Sequence, residues 1–439
     1  MRKREHKGVF VTLIFAVGIL ILVGTILVRN SVSRRSFPAS SNEFPRMEIS
    51  LNGVTLEEIY ENGKEIKYLG NNVMITDGDE EEVYEDVEIK GRGNATWAQI
   101  KKPLQIKFKQ KVDLLGLGPR KKWILLANYM DWTNLRTDTA FYIEKMVGEK
   151  YAYQGDFVEL FVNNDYQGLY YLTRGIEVGK NAVDLRDPYG VLVELDNVYG
   201  QAEELYYVTG NGEHLTVKDA VNEDNTATAM EDFVANFNAL EEAIKNHDYD
   251  AIRELIDVKS FAEYYLVEEL IINTDAYFTS QYFYKDGLDD KIHAGPAWDF
   301  DISLNNYRRG QNNAPVGPFT PAIETEYLPP DEQYLQWSRL FARLIDIPEF
   351  RVEVDRVFND RLAGRKDELL WHVFMQAARI YDAAMRDGEK WEKDGYVTDV
   401  KKMLQWLSAR YDYMEQEYGI KAENIEDIEP VYDINIIEV

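Results

Sequence analysis

The spacing of apolar residues changes partway along this chain, and that change limits the fold more than any other feature. Up to residue 196 apolar and polar residues alternate, most clearly in segments 47–51, 65–69, 83–90, 104–109, 156–163 and 168–173. Beyond Asn222 the apolar residues recur every three or four positions, as at Phe233, Phe237, Leu240 and Ile244. Alternation is typical of half-buried strands, and the longer period is typical of amphipathic helices. The sequence therefore predicts an α+β fold, with a β-rich amino-terminal lobe at residues 47–196 and a helical carboxy-terminal lobe at residues 197–420.

Local signals add detail to both predicted lobes. Asn-Gly and Asp-Gly pairs at residues 52–53, 62–63 and 77–78 predict turns between the early strands. A helix is predicted at residues 135–147, and a buried strand at residues 191–196 would link the two lobes. In the second lobe we expect an extended segment at residues 275–301 and helices near residues 331–344, 349–381 and 398–416. Residues 421–439 form an acidic tail.

The first residues of the chain predict a membrane anchor. Residues 8–28 carry no charge and are rich in Ile, Leu, Val and Phe, which is long enough for a helix that crosses a bilayer. The run exceeds the apolar core of a typical signal peptide and lacks an Ala-x-Ala exit, so we expect a retained, single-pass helix. Residues 1–7 would be a cytoplasmic tail and residues 29–46 a linker, with the large domain outside the cytoplasm.

The composition argues against several functions. The chain has 77 acidic and 49 basic residues and a formal net charge of −28, which disfavours nucleic-acid binding because that activity depends on basic surfaces. It has no cysteine, so disulfides, thiol catalysis and thiolate metal sites are excluded. Its five histidines are scattered without metal-ligand spacing, so a zinc enzyme is not expected.

Three aspartates near the predicted junction of the lobes suggest a catalytic site. Asp275 closes an apolar helix, and a later strand-like run ends in Trp298-Asp299-Phe300-Asp301. Phosphoryl transfer from a nucleotide uses one carboxylate to orient the attacking hydroxyl and another to hold the metal that bridges the phosphates. The alternative is structural, with Asp275 ending a helix and the other two acids lying in a turn. Because three acids occur together with a Trp and a Phe, we favour the site.

Six separated blocks of sequence carry a resemblance to a known family. They are residues 91–97 (Gly-Arg-Gly-Asn-Ala-Thr-Trp), 102–108 (Lys-Pro-Leu-Gln-Ile-Lys-Phe), 122–128 (Lys-Trp-Ile-Leu-Leu-Ala-Asn), 135–136 (Leu-Arg), 162–164 (Val-Asn-Asn) with 168–170 (Gly-Leu-Tyr), and 295–301 (Gly-Pro-Ala-Trp-Asp-Phe-Asp). In this order, over roughly residues 85–305, they resemble the CotH (spore-coat protein H) family. The resemblance implies a two-lobed, protein-kinase-like fold of the atypical, secretory type. It also implies transfer of phosphate from ATP, with Mg or Mn, to Ser or Thr of proteins.

The resemblance also implies roles for individual residues. Asp275 falls where the family places its catalytic aspartate, and Asp299 falls where it places a metal-binding aspartate. Asp301 stands where ordinary kinases have Gly, and would be a second metal ligand or would cap backbone groups at the strand end. Lys107 matches the family's strand lysine, which would neutralise phosphate oxygens. Arg174 stands where the family usually has Glu, so the charge is reversed at that position.

Four further residues would contact the nucleotide. Arg92 and Asn94 lie in a turn with two glycines, which permits close approach of the backbone to phosphates. Arg136 opens a predicted helix and would reach the same phosphates or pair with a structural acid. Trp298 precedes the metal-binding aspartate and would stack on adenine or pack as a core residue between the lobes.

The leading hypothesis is a membrane-anchored atypical protein kinase whose partners are a Ser- or Thr-bearing protein and the membrane. The CotH family also includes fungal surface adhesins, so a non-catalytic binding or adhesion protein on the same fold is the main alternative. A phosphotransferase that acts on a small molecule or a glycan is a third possibility.

Overall fold

The amino-terminal part of the described chain is a closed barrel. The computed structural model describes residues 44–203, 205–306, 314–320 and 338–419. The barrel strands are β1 (Arg46–Ser50), β2 (Tyr68–Asp77), β3 (Glu80–Gly91), β4 (Leu104–Val112), β5 (Arg120–Leu126), β6 (Gly155–Val162) and β7 (Asp165–Thr173). Their spatial order is β1-β2-β3-β4-β5-β7-β6, and a parallel pairing of β1 with β6 closes the barrel.

Alternation along the strands builds the barrel interior. In β4, Leu104, Ile106 and Phe108 are buried in the barrel core, whereas Lys107 between them is exposed. Successive side chains of a strand point to opposite faces, so this pattern places Lys107 on the outer surface of the barrel.

A second sheet follows the barrel in the chain. Its strands are β8 (Val191–Leu195), β9 (Tyr206–Val208), β10 (His214–Ala220), β11 (Gln281–Lys285) and β12 (His293–Ala294), in the antiparallel order β12-β11-β8-β10-β9. The predicted linking strand is therefore the middle strand of a sheet. The other strands of this sheet are short, and β11 and β12 are distant from β8 in sequence. No local alternation therefore predicts the sheet.

Ten α-helices lie in the described parts of the chain. They are α1 (Leu56–Asn62), α2 (Arg136–Val147), α3 (Thr226–Lys245), α4 (Tyr249–Leu255), α5 (Val258–Ile271), α6 (Leu340–Leu344), α7 (Pro348–Arg361), α8 (Lys366–Arg379), α9 (Tyr381–Lys390) and α10 (Tyr396–Tyr418). The single helix predicted at residues 349–381 is thus divided among α7, α8 and the start of α9. The first break includes Gly364, whose φ of +76° suits a residue without a side chain.

Helix α5 is the central helix of the carboxy-terminal part. Every residue from Phe261 to Ile271 is buried. The helix ends at Ile272, which adopts a left-handed backbone conformation with φ of 49°. This sharp end turns the chain directly into the segment that carries Asp275.

The predicted α+β class is confirmed. The β-rich part is a closed barrel, and a second sheet occupies part of the region predicted to be helical, so the division into two kinase-like lobes stays a prediction. Among the residues that the structure describes, no helix has the length and apolar character needed to span a bilayer. The predicted anchor at residues 8–28 and the tail at residues 421–439 lie outside the described residues.

Candidate active site

A cleft of about 420 Å³ lies between the mouth of the barrel and the second sheet. The barrel contributes the loop after β3 and the residues at the end of β5. The second sheet contributes residues of β8, β10 and β11, and two loops complete the wall with residues 278–280 and 298–302. The volume falls in the range usual for small-molecule and cofactor sites.

Three aspartates line this cleft. Asp275, Asp299 and Asp301 are all half-buried and open into it. Asp299 has a φ of 71°, a conformation that few residues other than Gly adopt and that is often found at functional sites. The Ser280 hydroxyl donates a long hydrogen bond of 3.4 Å to the Asp299 carboxylate. The backbone therefore directs three acids, distant in sequence, into one space.

The acids interact electrostatically. Burial raises the pKa of Asp299, and the nearby Arg92 guanidinium opposes that rise. Burial also raises the pKa of Asp301 well above its ordinary value, and the negative charges of Asp299, Asp275 and Asp131 add to the effect. Like charges in a partly desolvated site disfavour ionisation unless a cation balances them. The cleft is thus suited to a positively charged ligand.

The donor set fits a divalent metal that also binds phosphate. Within the described residues, no group of three or more Asp, Glu or His side chains is arranged to hold a metal ion alone. Magnesium in nucleotide sites takes one or two protein carboxylates, with phosphate oxygens and water as its other ligands. Asp299 and Asp301 meet that smaller requirement.

Basic side chains line the cleft on both sides. On the second sheet, Lys218 Nζ lies 2.8 Å from Glu194 Oε2, and the Tyr282 hydroxyl donates a 2.8 Å hydrogen bond to Glu194 Oε1. The Lys218 side chain is 34% exposed, whereas Tyr282 is buried. On the barrel side, the Arg92 guanidinium lies 5.9 Å from the Trp298 ring centroid. Burial lowers the pKa of Arg92, and the negative charge of Asp299 works against that change.

Comparison with known proteins places the chain in a family. The family model described as CotH kinase protein matches residues 87–414, from within β3 into α10. The chain belongs to the CotH family. A search of curated proteins finds no match.

The residues that the sequence assigns to the CotH site lie partly in the cleft. Arg92, Asn94 and Trp298 line it together with the three aspartates. Asn94 accepts a hydrogen bond from Lys64 Nζ. Trp298 is almost fully buried, and its ring lies 5.7 Å from Phe141 and 5.3 Å from Tyr153. Trp298 is therefore a core residue as well as part of the cleft wall.

Two of the predicted phosphate ligands lie elsewhere. Lys107 is on the exposed face of the barrel, outside the cleft, so its position does not support the phosphate contact. Arg136 is buried and forms an ion pair with Asp131. Its guanidinium also donates to the carbonyls of Ser303 (3.0 Å) and Leu304 (3.3 Å). Arg136 therefore pairs with a structural acid, the second of the two predicted roles. Its hydrogen bonds link the start of α2 to the loop after Asp301.

Arg174 also lies outside the cleft. Its guanidinium donates to the carbonyls of Asn181, Tyr151 (2.9 Å) and Ala152 (3.1 Å). The same group lies 3.9 Å from the Tyr153 ring centroid. The charge reversal relative to the usual family Glu therefore does not place a cation among the cleft residues.

Sequence reasoning missed Glu194, Lys218 and Tyr282. A single Glu in the apolar run 191–195 was the available signal for Glu194. Nothing local marks Lys218, because only the antiparallel pairing of β8 with β10 brings it next to Glu194. The Glu194–Lys218 pair can therefore be recognised only once the pairing of the strands is known.

Proposed function

We propose that the protein is a membrane-anchored, metal-dependent protein kinase that transfers the γ-phosphate of ATP to Ser or Thr of a protein. The observation that carries this proposal is the convergence of Asp275, Asp299 and Asp301 with Arg92 and Lys218 in one cleft. Family membership supports the same class of chemistry. Residues 8–28 would hold the domain at the membrane, as their apolar length predicts.

In this proposal Asp275 is the catalytic base. It follows the sharp end of α5, and its N–H contacts Asn273 Oδ1 at 3.4 Å, within a turn that fixes its backbone. Its carboxylate would accept a hydrogen bond from the Ser or Thr hydroxyl and orient that oxygen toward the γ-phosphorus. The acceptor proton would pass to Asp275 as the new P–O bond forms, while the bond between the γ-phosphorus and the β,γ-bridging oxygen breaks and ADP leaves with that oxygen.

In this proposal the basic side chains bind phosphate directly, and the other two aspartates bind the metal that bridges it. Arg92 and Lys218 would lie against phosphate oxygens, and Glu194 would hold Lys218 in position through their ion pair. Asp299 and Asp301 would hold Mg or Mn, which neutralises phosphate charge when bound. Trp298, which lines the cleft beside Arg92, would contact the adenine there.

The test uses the full chain in detergent with labelled ATP, Mg or Mn, and protein acceptors. Asp299→Asn keeps the size of the side chain but removes its charge. We expect it to abolish both phosphate transfer and the thermal stabilisation that ATP and metal give to the parent.

Asp275→Ala should lower turnover by roughly two to four orders of magnitude. Its ATP-dependent stabilisation should change little, because Asp275 does not hold phosphate or metal.

Asp289→Asn is the matched control, since Asp289 is an exposed acid in the turn between β11 and β12. It should behave as the parent does. Full activity in Asp299→Asn would contradict the metal assignment, and loss of ATP binding in Asp275→Ala would contradict the catalytic one. A parent that binds no nucleotide and transfers no phosphate would favour the non-catalytic binding protein.

A further inference from the structure

One wall of the cleft leads away from Asp275 to an exposed sheet edge. The backbone N–H of Asn197 donates to the carbonyl of Phe278 at 2.7 Å, which joins the segment after Leu195 to the turn that carries Asp275. Tyr199 continues this wall and lines the cleft. A short turn at Gly200–Ala202 then leads toward β9. The cleft wall that is hydrogen-bonded to the Asp275 turn is therefore close to β9 along the chain.

Strand β9 is the last strand of its sheet. It pairs with β10, and no other strand within the described parts of the chain pairs with its outer edge. The N–H of Thr209 donates to Glu213 O at 2.9 Å, toward β10. Inward and outward backbone groups alternate along an antiparallel strand, so the N–H and C=O groups of Tyr206 and Val208 face outward. Such an edge is a template for another extended chain.

Exposed apolar side chains cluster along the same stretch. Leu205, Tyr206 and Val208 are 47%, 42% and 52% exposed, and Tyr199 on the adjoining cleft wall is also exposed. A group of large apolar side chains beside an open edge favours a polypeptide ligand over a free sugar or another small polar acceptor. A three-residue strand is also far smaller than the interface that a stable dimer needs. Its size suits a transient contact.

From these features we infer that β9 docks the acceptor protein as an added strand. This inference rests on the proposed kinase function. The acceptor's main chain pairs with the outer edge of β9, and apolar side chains near its Ser or Thr pack on Tyr206 and Val208. Main-chain pairing supplies affinity, and alternate side chains supply selectivity.

The test compares two synthetic peptides with a central Ser, one flanked by Leu and Tyr and the other by Asn and Gly. With the full-length parent and ATP, we expect the apolar peptide to have a kcat/KM higher by about tenfold or more. Tyr206→Ser with Val208→Ser should raise the KM of that peptide by about tenfold and leave the KM of ATP within about twofold. Val352→Ser, at an exposed apolar residue of α7, is the control and should change neither constant.

Val208→Pro tests the backbone directly. Proline is tolerated on an edge strand where the N–H faces solvent, so this change removes one outward donor and leaves the pairing with β10 intact. We expect the same rise in peptide KM. A benzophenone-bearing copy of the apolar peptide should also cross-link to residues 205–208 without ATP.

The outcomes separate the two proposals. Normal transfer with an unchanged peptide KM in all β9 variants would overturn the docking surface and leave the kinase function standing. A parent dimer that Val208→Pro dissociates would also overturn it, since a second copy would then occupy the edge. No transfer to any peptide or protein by the parent would overturn the kinase function and, with it, this inference.

Discussion

The Lys218 ammonium lies at the wall of the cleft and is held there by the Glu194 carboxylate. Glu194 holds its ammonium at 2.8 Å, and about two thirds of the side chain is covered, including a contact with the Tyr282 ring at 5.2 Å. A lysine restrained in this way loses little further side-chain entropy when it binds phosphate. Lys107, by comparison, projects from the outside of the barrel.

We therefore expect Lys218→Met to weaken ATP binding. Methionine keeps a long apolar stem but removes the charge, so the KM for ATP should rise by about tenfold or more, the usual scale for one charge-assisted hydrogen bond. Lys107→Met is the matched control, because it removes a strand lysine that lies outside the cleft. Steady-state kinetics of both variants test the assignment. Equal effects of the two changes would show that Lys218 has no special role.

At the scale of elements, helix α9 fastens the barrel to the carboxy-terminal helices. Asp387 of α9 is buried and accepts hydrogen bonds from Lys101 Nζ at 2.7 Å and from the Leu169 N–H at 3.0 Å. Gly168 precedes that contact in β7, with a φ of +107°. A Cβ at Gly168 would lie 2.3 Å from Asp387 Oδ1, so only Gly fits.

Gly168→Ala should consequently destabilise the protein. Gly395→Ala is a close control, because Gly395 has a similar φ of +101° but its nearest neighbour atom would be 3.7 Å from a new Cβ. Both variants have the cost of a left-handed alanine, and only Gly168→Ala adds a steric clash of about 1–3 kcal/mol. Chemical denaturation should show a lower midpoint for Gly168→Ala than for Gly395→Ala. Equal midpoints would mean that α9 moves away without cost.

Sequence reasoning succeeds here where the signal is local. The helix predicted at residues 135–147 is α2, and alternation in residues 104–109 predicts β4. It fails where a side chain's surroundings depend on distant pairing. For Lys107, alternation indicates the polar face of β4, opposite Phe108, but only the assembled barrel shows that this face lies outside the cleft. Likewise, the sequence left phosphate or a structural acid as the partner of Arg136, and the structure pairs it with Asp131.

At the scale of the whole molecule, a set of acids is buried behind the cleft. Burial raises the pKa of Glu149 to about 8, and the charge of Glu263 adds to the rise. Burial also raises the pKa of Glu144 and of Glu268 well above the usual range. The Glu149 carboxylate accepts a 3.2 Å hydrogen bond from the N–H of Ala297, just before the loop that carries Asp299.

This arrangement makes stability depend on pH. The folded protein keeps a proton on Glu149 that the unfolded chain releases at lower pH, so the stabilisation is fully present below the unfolded pKa and is lost as pH rises through about 8. We expect the melting temperature to fall as the pH rises from about 4.5 to about 8, the interval between the unfolded and folded pKa of Glu149. Glu149→Gln, a neutral isostere, should reduce that fall. Glu85→Gln, at an exposed glutamate of β3, should not, and an equal fall in all three proteins would refute the role of Glu149.

The closure of the barrel has a consequence for biogenesis. Strand β1 is among the first segments of the described chain to be synthesised, yet Met47 pairs with Leu160 of β6, and β6 in turn pairs with β7. Contacts between such distant residues form only after the intervening chain has emerged, and they slow folding because a long loop must close. A nascent chain that has emerged only through β5 therefore presents two unpaired strand edges. Such edges are natural targets for chaperones and, without them, for aggregation.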